Sequence, residues 1–341
     1  MSPPHGRPKE GSLPLGGKAR SAEGAPMTGP LPYNAAIPKE SQRPACECLL
    51  SFQTAQPSAA MPFVADLYIY PIKSCGGIRV DSADLWETGL YLDRLWMLVT
   101  EDGRFISQRT VPRLALVKTA LRFETLQLRA PGMLRLDIPI GGFDYAAERR
   151  LEVEVWRDKV AAFAESDLVN TWFSRFLDMP VRLVRIDPDF RRTCNPAFTG
   201  DQDAITQFAD GYPLLVISKG ALADLNRRLE AAGKVPVPME RFRPNLVIDD
   251  IDAYGEDHLA SLSTPAYEFR FVKPCVRCNL PCVDQQTAEV GTEPTDTLAT
   301  YRHDPRLDGI TFGMNAIVVR GADEAVVKVG DVLEAVVDFG D

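Results

Sequence analysis

From residue 64 onward the chain alternates short apolar runs with turn residues, a rhythm that predicts strands in series. Segments 64–72, 78–86, 95–100, 104–108, 116–128, 134–138, 151–155 and 159–163 are rich in β-branched, aromatic and leucine residues. Asp102-Gly103 and Pro131-Gly132 punctuate them, as expected of a barrel or sandwich rather than a nucleotide-binding α/β sheet. A helix is predicted over 167–178, capped by Ser166, striped by Leu168, Trp172 and Phe176, and ended by Pro180. In the second half, 214–217 predicts a buried strand, and Ser218 caps a helix whose Leu222, Leu225 and Leu229 share a face. Gly233 stands where a glycine stop belongs. Further strands are expected at 246–249, 267–272, 315–320 and 332–337, with a short helix near 295–301. The expected class is α+β, predominantly β, without internal repeats.

Residues 1–60 break this rhythm. They hold 10 of the 27 prolines and 6 of the 24 glycines and show no periodicity, so a disordered tail is expected. Met61, where PFVADLYIYPIKSC begins, is the expected natural start, with the tail an over-extended gene reading.

The chain has 341 residues, 45% hydrophobic and 25% charged, enough for about two globular domains. Its net charge of −9 argues against a nucleic-acid partner. No apolar run approaches the roughly 20 residues that span a bilayer, and no secretory signal opens the chain, so a cytoplasmic protein without a membrane partner is expected. Three histidines, His5, His258 and His303, are too few for a His-rich zinc site.

Chemistry must come from elsewhere. Seven cysteines, an odd number without a secretory signal, fit a reducing compartment. Three cluster in Lys273-Pro-Cys-Val-Arg-Cys-Asn-Leu-Pro-Cys282. Zinc held by Cys275, Cys278 and Cys282 lacks a fourth ligand. A thioredoxin-like pair wants a helix N-terminus, which Pro281 and the strand-like flanks oppose. A single thiolate on a soft metal would be steadied by Lys273 and Arg277, and packed thiols need no function at all. Among basic residues, Lys73-Ser74 ends the first run and Arg94 follows Asp93. Pro244 predicts an extended Arg243, so that Arg243 and Asn245 project to one side. Such cations with hydroxyl and amide neighbours can hold an anionic ligand, although turns and surface ion pairs account for each one singly.

YPIKSC (70–75), DRLWMLV (93–99), GYPLLVIS (211–218), RFRPNLVI (241–248) and KPCVRCNLPCVD (273–284) together resemble the MOSC family with its N-terminal β-barrel partner domain. GITFGMNAIVV (309–319) and VKVGDVL (327–333) match the end of such domains, and the likeness is greatest to the branch of amidoxime reducing components and bacterial reductases. The resemblance implies an N-terminal β-barrel domain over 61–185, a mixed β-barrel MOSC domain over 186–338, and the molybdenum cofactor, a pyranopterin dithiolene with a phosphate. It implies Cys278 as the metal's protein ligand and a catalytic residue, with Asp210, near the metal, as a second catalytic residue. Lys73, Ser74, Arg94, Arg243 and Asn245 would hold the cofactor, with Val276 and Arg277 lining the same pocket. Gly211 and Tyr212 depart from the small hydroxyl residues common there, so only their backbone contacts carry over. The implied reaction removes oxygen from a small N-hydroxylated compound; the alternative is a non-catalytic cofactor carrier or sulfur-transfer protein. No C-x₄-C-x₂-C run for a [2Fe–2S] cluster is present, so electrons are expected from a separate ferredoxin-, flavin- or cytochrome-type protein. A monomer is expected, and pyridoxal phosphate, a binding term used of the family at large, is not.

Overall fold

Phe63–Ile69 is the first strand of the computed structural model, which describes residues 61–145 and 150–338; the tail expected over 1–60 lies outside them. This strand pairs antiparallel with Ile78–Val80 on one side and Leu246–Asp249 on the other. Leu246–Asp249 runs parallel to Leu214–Ser218, which is antiparallel to the twelve-residue strand Gly309–Arg320. Glu268–Val276, Leu259–Ser263 and Glu334–Val337 complete that path. A second sheet orders Trp96–Val99, Arg182–Ile186, Asp158–Ala164 and Arg150–Val155. Helices are few; the two longest are Asp167–Leu177 and Lys219–Ala231. The protein is mostly sheet, as its pattern requires.

Burial explains the layout. Val64, Trp96, Phe173 and Leu333 belong to one apolar cluster, so residues from both ends of the described chain close the same core. A smaller cluster lies under Lys219–Ala231, where Leu225 and Leu229 pack with Phe242 and Phe312. The Ser218 hydroxyl accepts from Ala221 N at 3.0 Å and starts that helix. Gly233, at φ +71°, ends it, with Lys234 N returning to the Leu229 carbonyl.

Several expected elements differ. The run 116–128 is a hairpin, Lys118–Arg122 with Thr125–Arg129, turned at an exposed Phe123 with φ +53°. Segment 78–86 divides at Asp81, one half joining the large sheet and Ser82–Trp86 pairing with Val326–Lys328. Segment 104–108 makes no ladder, because Phe105 N bonds Glu154 while Ile106 N bonds Leu98, on two different strands. The first helix buries Val169, Trp172, Phe173 and Phe176 and turns Leu168 to solvent, and the Ser166 hydroxyl makes no cap bond. Arg182–Ile186 and Leu259–Ser263 are strands the pattern did not predict.

Candidate functional site

Strand direction gathers the site. Leu214–Ser218 and Leu246–Asp249 are parallel, so the segments entering them, 210–213 and 243–245, lie at one end of the sheet. The antiparallel first strand delivers 70–75 to that end. The cysteine segment arrives on Glu268–Val276, whose ladder is interrupted by three register shifts. Arg277 Nη2 donates to the Phe242 carbonyl at 2.9 Å and ties the two segments together. In consequence Lys73, Ser74, Arg94, Asp210, Gly211, Tyr212, Arg243, Asn245, Val276, Arg277 and Cys278 all line one cavity of about 120 Å³.

The backbone there is strained. Ser74, Arg94 and Arg243 have φ of 68°, 51° and 58°, a region that costs a non-glycine residue roughly 1–2 kcal/mol. The extended Arg243 expected from Pro244 is therefore not observed. Tertiary bonds override the local preference: the Arg243 carbonyl accepts from Arg94 Nη2 at 3.1 Å, and its Nη1 donates to the Cys75 carbonyl at 2.6 Å. Ser74 is held by Gln108 Nε2, which donates to its carbonyl at 2.8 Å.

Two guanidiniums lie over the ring of buried Tyr70, Arg94 at 4.4 Å and Arg243 at 4.2 Å. Arg94 is neutralised by Asp93 at 2.5 Å and also donates to Asn245 Oδ1 at 3.0 Å. Asn245 Oδ1 accepts from Leu215 N as well, so this amide positions Arg94 and joins two strands. Arg243 has no such counter-ion. Its Nη2 is buried without a partner, and burial, followed by repulsion from Arg94, pulls its pKa down to about 10.

Lys73 Nζ donates to the Phe208 carbonyl at 2.7 Å and to Asp210 Oδ1 at 2.6 Å. The two partners stand in different solvent, with side chains 7% and 68% exposed. Burial therefore governs Lys73 and lowers its pKa despite Asp210. At Asp210 desolvation raises the pKa, but the Lys73 ammonium outweighs it and holds the carboxyl well below the usual range. Arg192, itself buried, fixes the Asp210 segment by donating to the Gln207, Ala209 and Asp210 carbonyls.

The five described cysteines are free. Burial pushes the Cys75 and Cys194 thiols up to about 12. Cys282 is buried and donates to Thr292 and Thr295 oxygens. Cys275 accepts from Arg277 Nη1 at 3.0 Å, so Arg277 attends this sulfur rather than that of Cys278. Lys273 is elsewhere, 4.5 Å over the Phe198 ring. Cys278 alone of the five is exposed, and it lines the cavity. Among the described residues no group of three His, Cys, Asp or Glu side chains is placed to hold a metal ion.

Ser107, Arg109 and Asn315 also line the cavity, and neither they nor Arg192 were singled out by sequence. Ser107 lies in a segment, 104–108, that reads as strand and Arg109 just beyond it, and no motif marks Asn315 or Arg192.

Residues 61–180 match the MOSC N-terminal beta barrel domain and residues 203–334 the MOSC domain. Mitochondrial amidoxime-reducing component 1 of Homo sapiens is 35% identical over 289 residues, covering 79% of this chain and 81% of that protein. The chain belongs to the MOSC family. This MOSC protein is also 33% identical over 247 residues to mitochondrial amidoxime reducing component 2 of Bos taurus, covering 70% and 72% of the two chains. A molybdenum cofactor sulfurase of Oryza sativa subsp. japonica is 33% identical over 263 residues, 73% of this chain but 31% of that protein. The MOSC family is thus a molybdenum-cofactor-related one. Among the described residues of this member, no helix is long and apolar enough to cross a membrane.

Proposed function

We propose that this MOSC protein is a molybdenum-cofactor-dependent reductase that removes oxygen from N-hydroxylated compounds, with electrons from a separate redox protein. One observation carries the proposal: an exposed thiol, Cys278, shares a cavity with a buried cation, Arg243, that has a nitrogen without a partner. A soft-metal ligand beside an unmatched positive charge suits a metal group with an anionic tail.

The residues fit that group in charge and donor type. Arg243 Nη2 and the Ser74 hydroxyl offer donors, and Lys73 supplies a second buried cation. Arg94 and Arg277 would face the heterocycle, and the backbone at Gly211 and Tyr212 would close the remaining side. At about 120 Å³ the cavity is smaller than the roughly 300–1,000 Å³ of most ligand sites, so it would hold only part of the group. When bound, the molybdenum centre supplies the two-electron chemistry that takes oxygen from an N–OH group. Cys278, whose thiol is exposed, would provide its protein ligand. Asp210 stays ionised at neutral pH, so it serves a substrate as hydrogen-bond acceptor and not as acid.

Likeness to the sulfurase supports a rival carrier role, although the chain spans only 31% of that protein. Protein made in a cofactor-competent host separates the two. The reductase reading expects stoichiometric molybdenum, turnover of N-hydroxylated compounds with an artificial donor, and about 100-fold loss in Cys278→Ala. Bound cofactor without turnover across the panel assigns the carrier; absence of both molybdenum and pterin overturns either role.

A further inference from the structure

Trp156 sits where neither local structure nor the core asks for an indole. It occupies the two-residue turn between Arg150–Val155 and Asp158–Ala164, at φ +58°, a position that favours asparagine or glycine. It is 46% exposed, so burial does not account for it. What it has instead is a set of side-chain contacts, two of them to residues that line the cavity. Its Nε1 donates to Asp210 Oδ1 at 3.0 Å. The Arg109 guanidinium lies 4.1 Å from its ring centre, and the Phe105 ring lies 5.2 Å away. Asp210 and Arg109 both line the cavity that holds Cys278. Arg109 is in turn steadied by Ser107 Oγ, which accepts from its Nε at 3.3 Å.

We propose that Trp156, braced by Arg109 and Phe105, is a positioning residue: a flat wall that holds planar substrates beside Asp210 and so sets specificity there. The inference rests on the reductase reading for its substrates, but the wall itself is a property of this chain. Both bonds to Asp210 end on Oδ1, and among the described residues Oδ2 accepts none, so a planar group with an adjacent N–H can stack on the indole and donate to Oδ2. A compound with no planar group gains nothing from the wall.

Two measurements test it. Cofactor-loaded wild type, Trp156→Phe and Trp156→Ala are compared for an aryl amidoxime and for N-methylhydroxylamine, with molybdenum content measured on each. Trp156→Ala is expected to raise KM for the aryl compound about tenfold with kcat within about twofold, and to lower the aryl-to-alkyl ratio of kcat/KM by a similar factor. Trp156→Phe recovers most of this. In cofactor-free protein, calorimetric titration with an arylamidine is expected to show the same tenfold weakening in Trp156→Ala. An equal loss on both substrates, a loss in kcat alone, or unchanged arylamidine affinity overturns the wall. If loaded wild type reduces neither compound, the reductase reading fails and the titration still decides the wall.

Discussion

Arg185 and Arg243 are both buried, and the fold treats them in opposite ways. Arg185 is 2% exposed, yet each of its nitrogens is used: Nε donates to Glu165 at 3.0 Å, and Nη1 and Nη2 to the Ile140 and Pro139 carbonyls. Trp96 and Phe143 lie within 4.7 Å of the guanidinium, and Trp96 Nε1 shares the Glu165 carboxylate. Arg243 is 7% exposed and has Arg94 for a neighbour, no paired carboxylate, an unpartnered Nη2 and a left-handed backbone. A buried charge completed by its own fold is part of the architecture. One left incomplete costs stability and persists where a ligand completes it.

The comparison breaks first at Arg185 if it is wrong. Arg185→Gln leaves Glu165 buried without its cation and is expected to cost roughly 3–5 kcal/mol, read as a lower urea midpoint at unchanged slope. Replacing both Arg185 and Glu165 by methionine is expected to recover much of that loss, because the cost comes from the charge left behind. Arg243→Gln is expected to do the reverse: stability within about 1 kcal/mol of wild type, and bound molybdenum reduced about tenfold or more. The sign with pH is fixed by the lowered pKa. A cation whose folded value is about 10 against an ordinary 12.5 penalises the fold fully below pH 10, and the penalty fades only as pH rises from there toward 12.5. The stability difference between Arg243→Gln and wild type should therefore stay flat from pH 6 to about pH 9. A slope there, or a loss matching that of Arg185→Gln, would mean Arg243 is structural too.

Little of this contrast can be read from the chain. Lys73, Arg94, Arg243, Asn245 and Cys278 were nominated because they sit in short motifs, and the structure brings all five to one cavity. Their circumstances were not legible. The partners that set Arg243's backbone and side chain are Arg94 and Cys75, 149 and 168 residues away, so the local rule for a residue before proline lost. Arg185 and Glu165 carry no motif, and nothing local says that they meet. The same limit explains the misread hairpin, since Phe123-Glu124 turns without glycine or proline. Trp156 escaped for the opposite reason: at a strand end it fits the β pattern, and only its exposure and its bond to Asp210 set it apart.

An anion sharpens the contrast without any substitution in the core. Pyrophosphate added to cofactor-free protein should complete Arg243 and raise Tm. At a concentration tenfold above Kd the stabilisation is about 1.4 kcal/mol, or roughly 3–6 °C for a domain of this size. Arg243→Gln should abolish the shift. Equal shifts in wild type and Arg243→Gln would place the anion elsewhere on the surface.

Lys73 lies between the two extremes, since it has a counter-ion but one that solvent shares. Asp210 has a folded pKa below its ordinary 3.8, so the stability it contributes is present above that value and lost as pH falls through the lower folded one. Its side chain is two-thirds exposed, so the contribution is screened and should not exceed about 1 kcal/mol. Urea midpoints of wild type and Asp210→Asn should differ by a constant small amount above pH 5 and draw together progressively as pH falls below about 4. A difference that persists at the acid end would mean that the carboxylate's charge is not what Lys73 requires. The Lys73 ammonium would then depend on the Phe208 carbonyl alone, and it would belong with Arg243 among the cations this fold leaves unfinished.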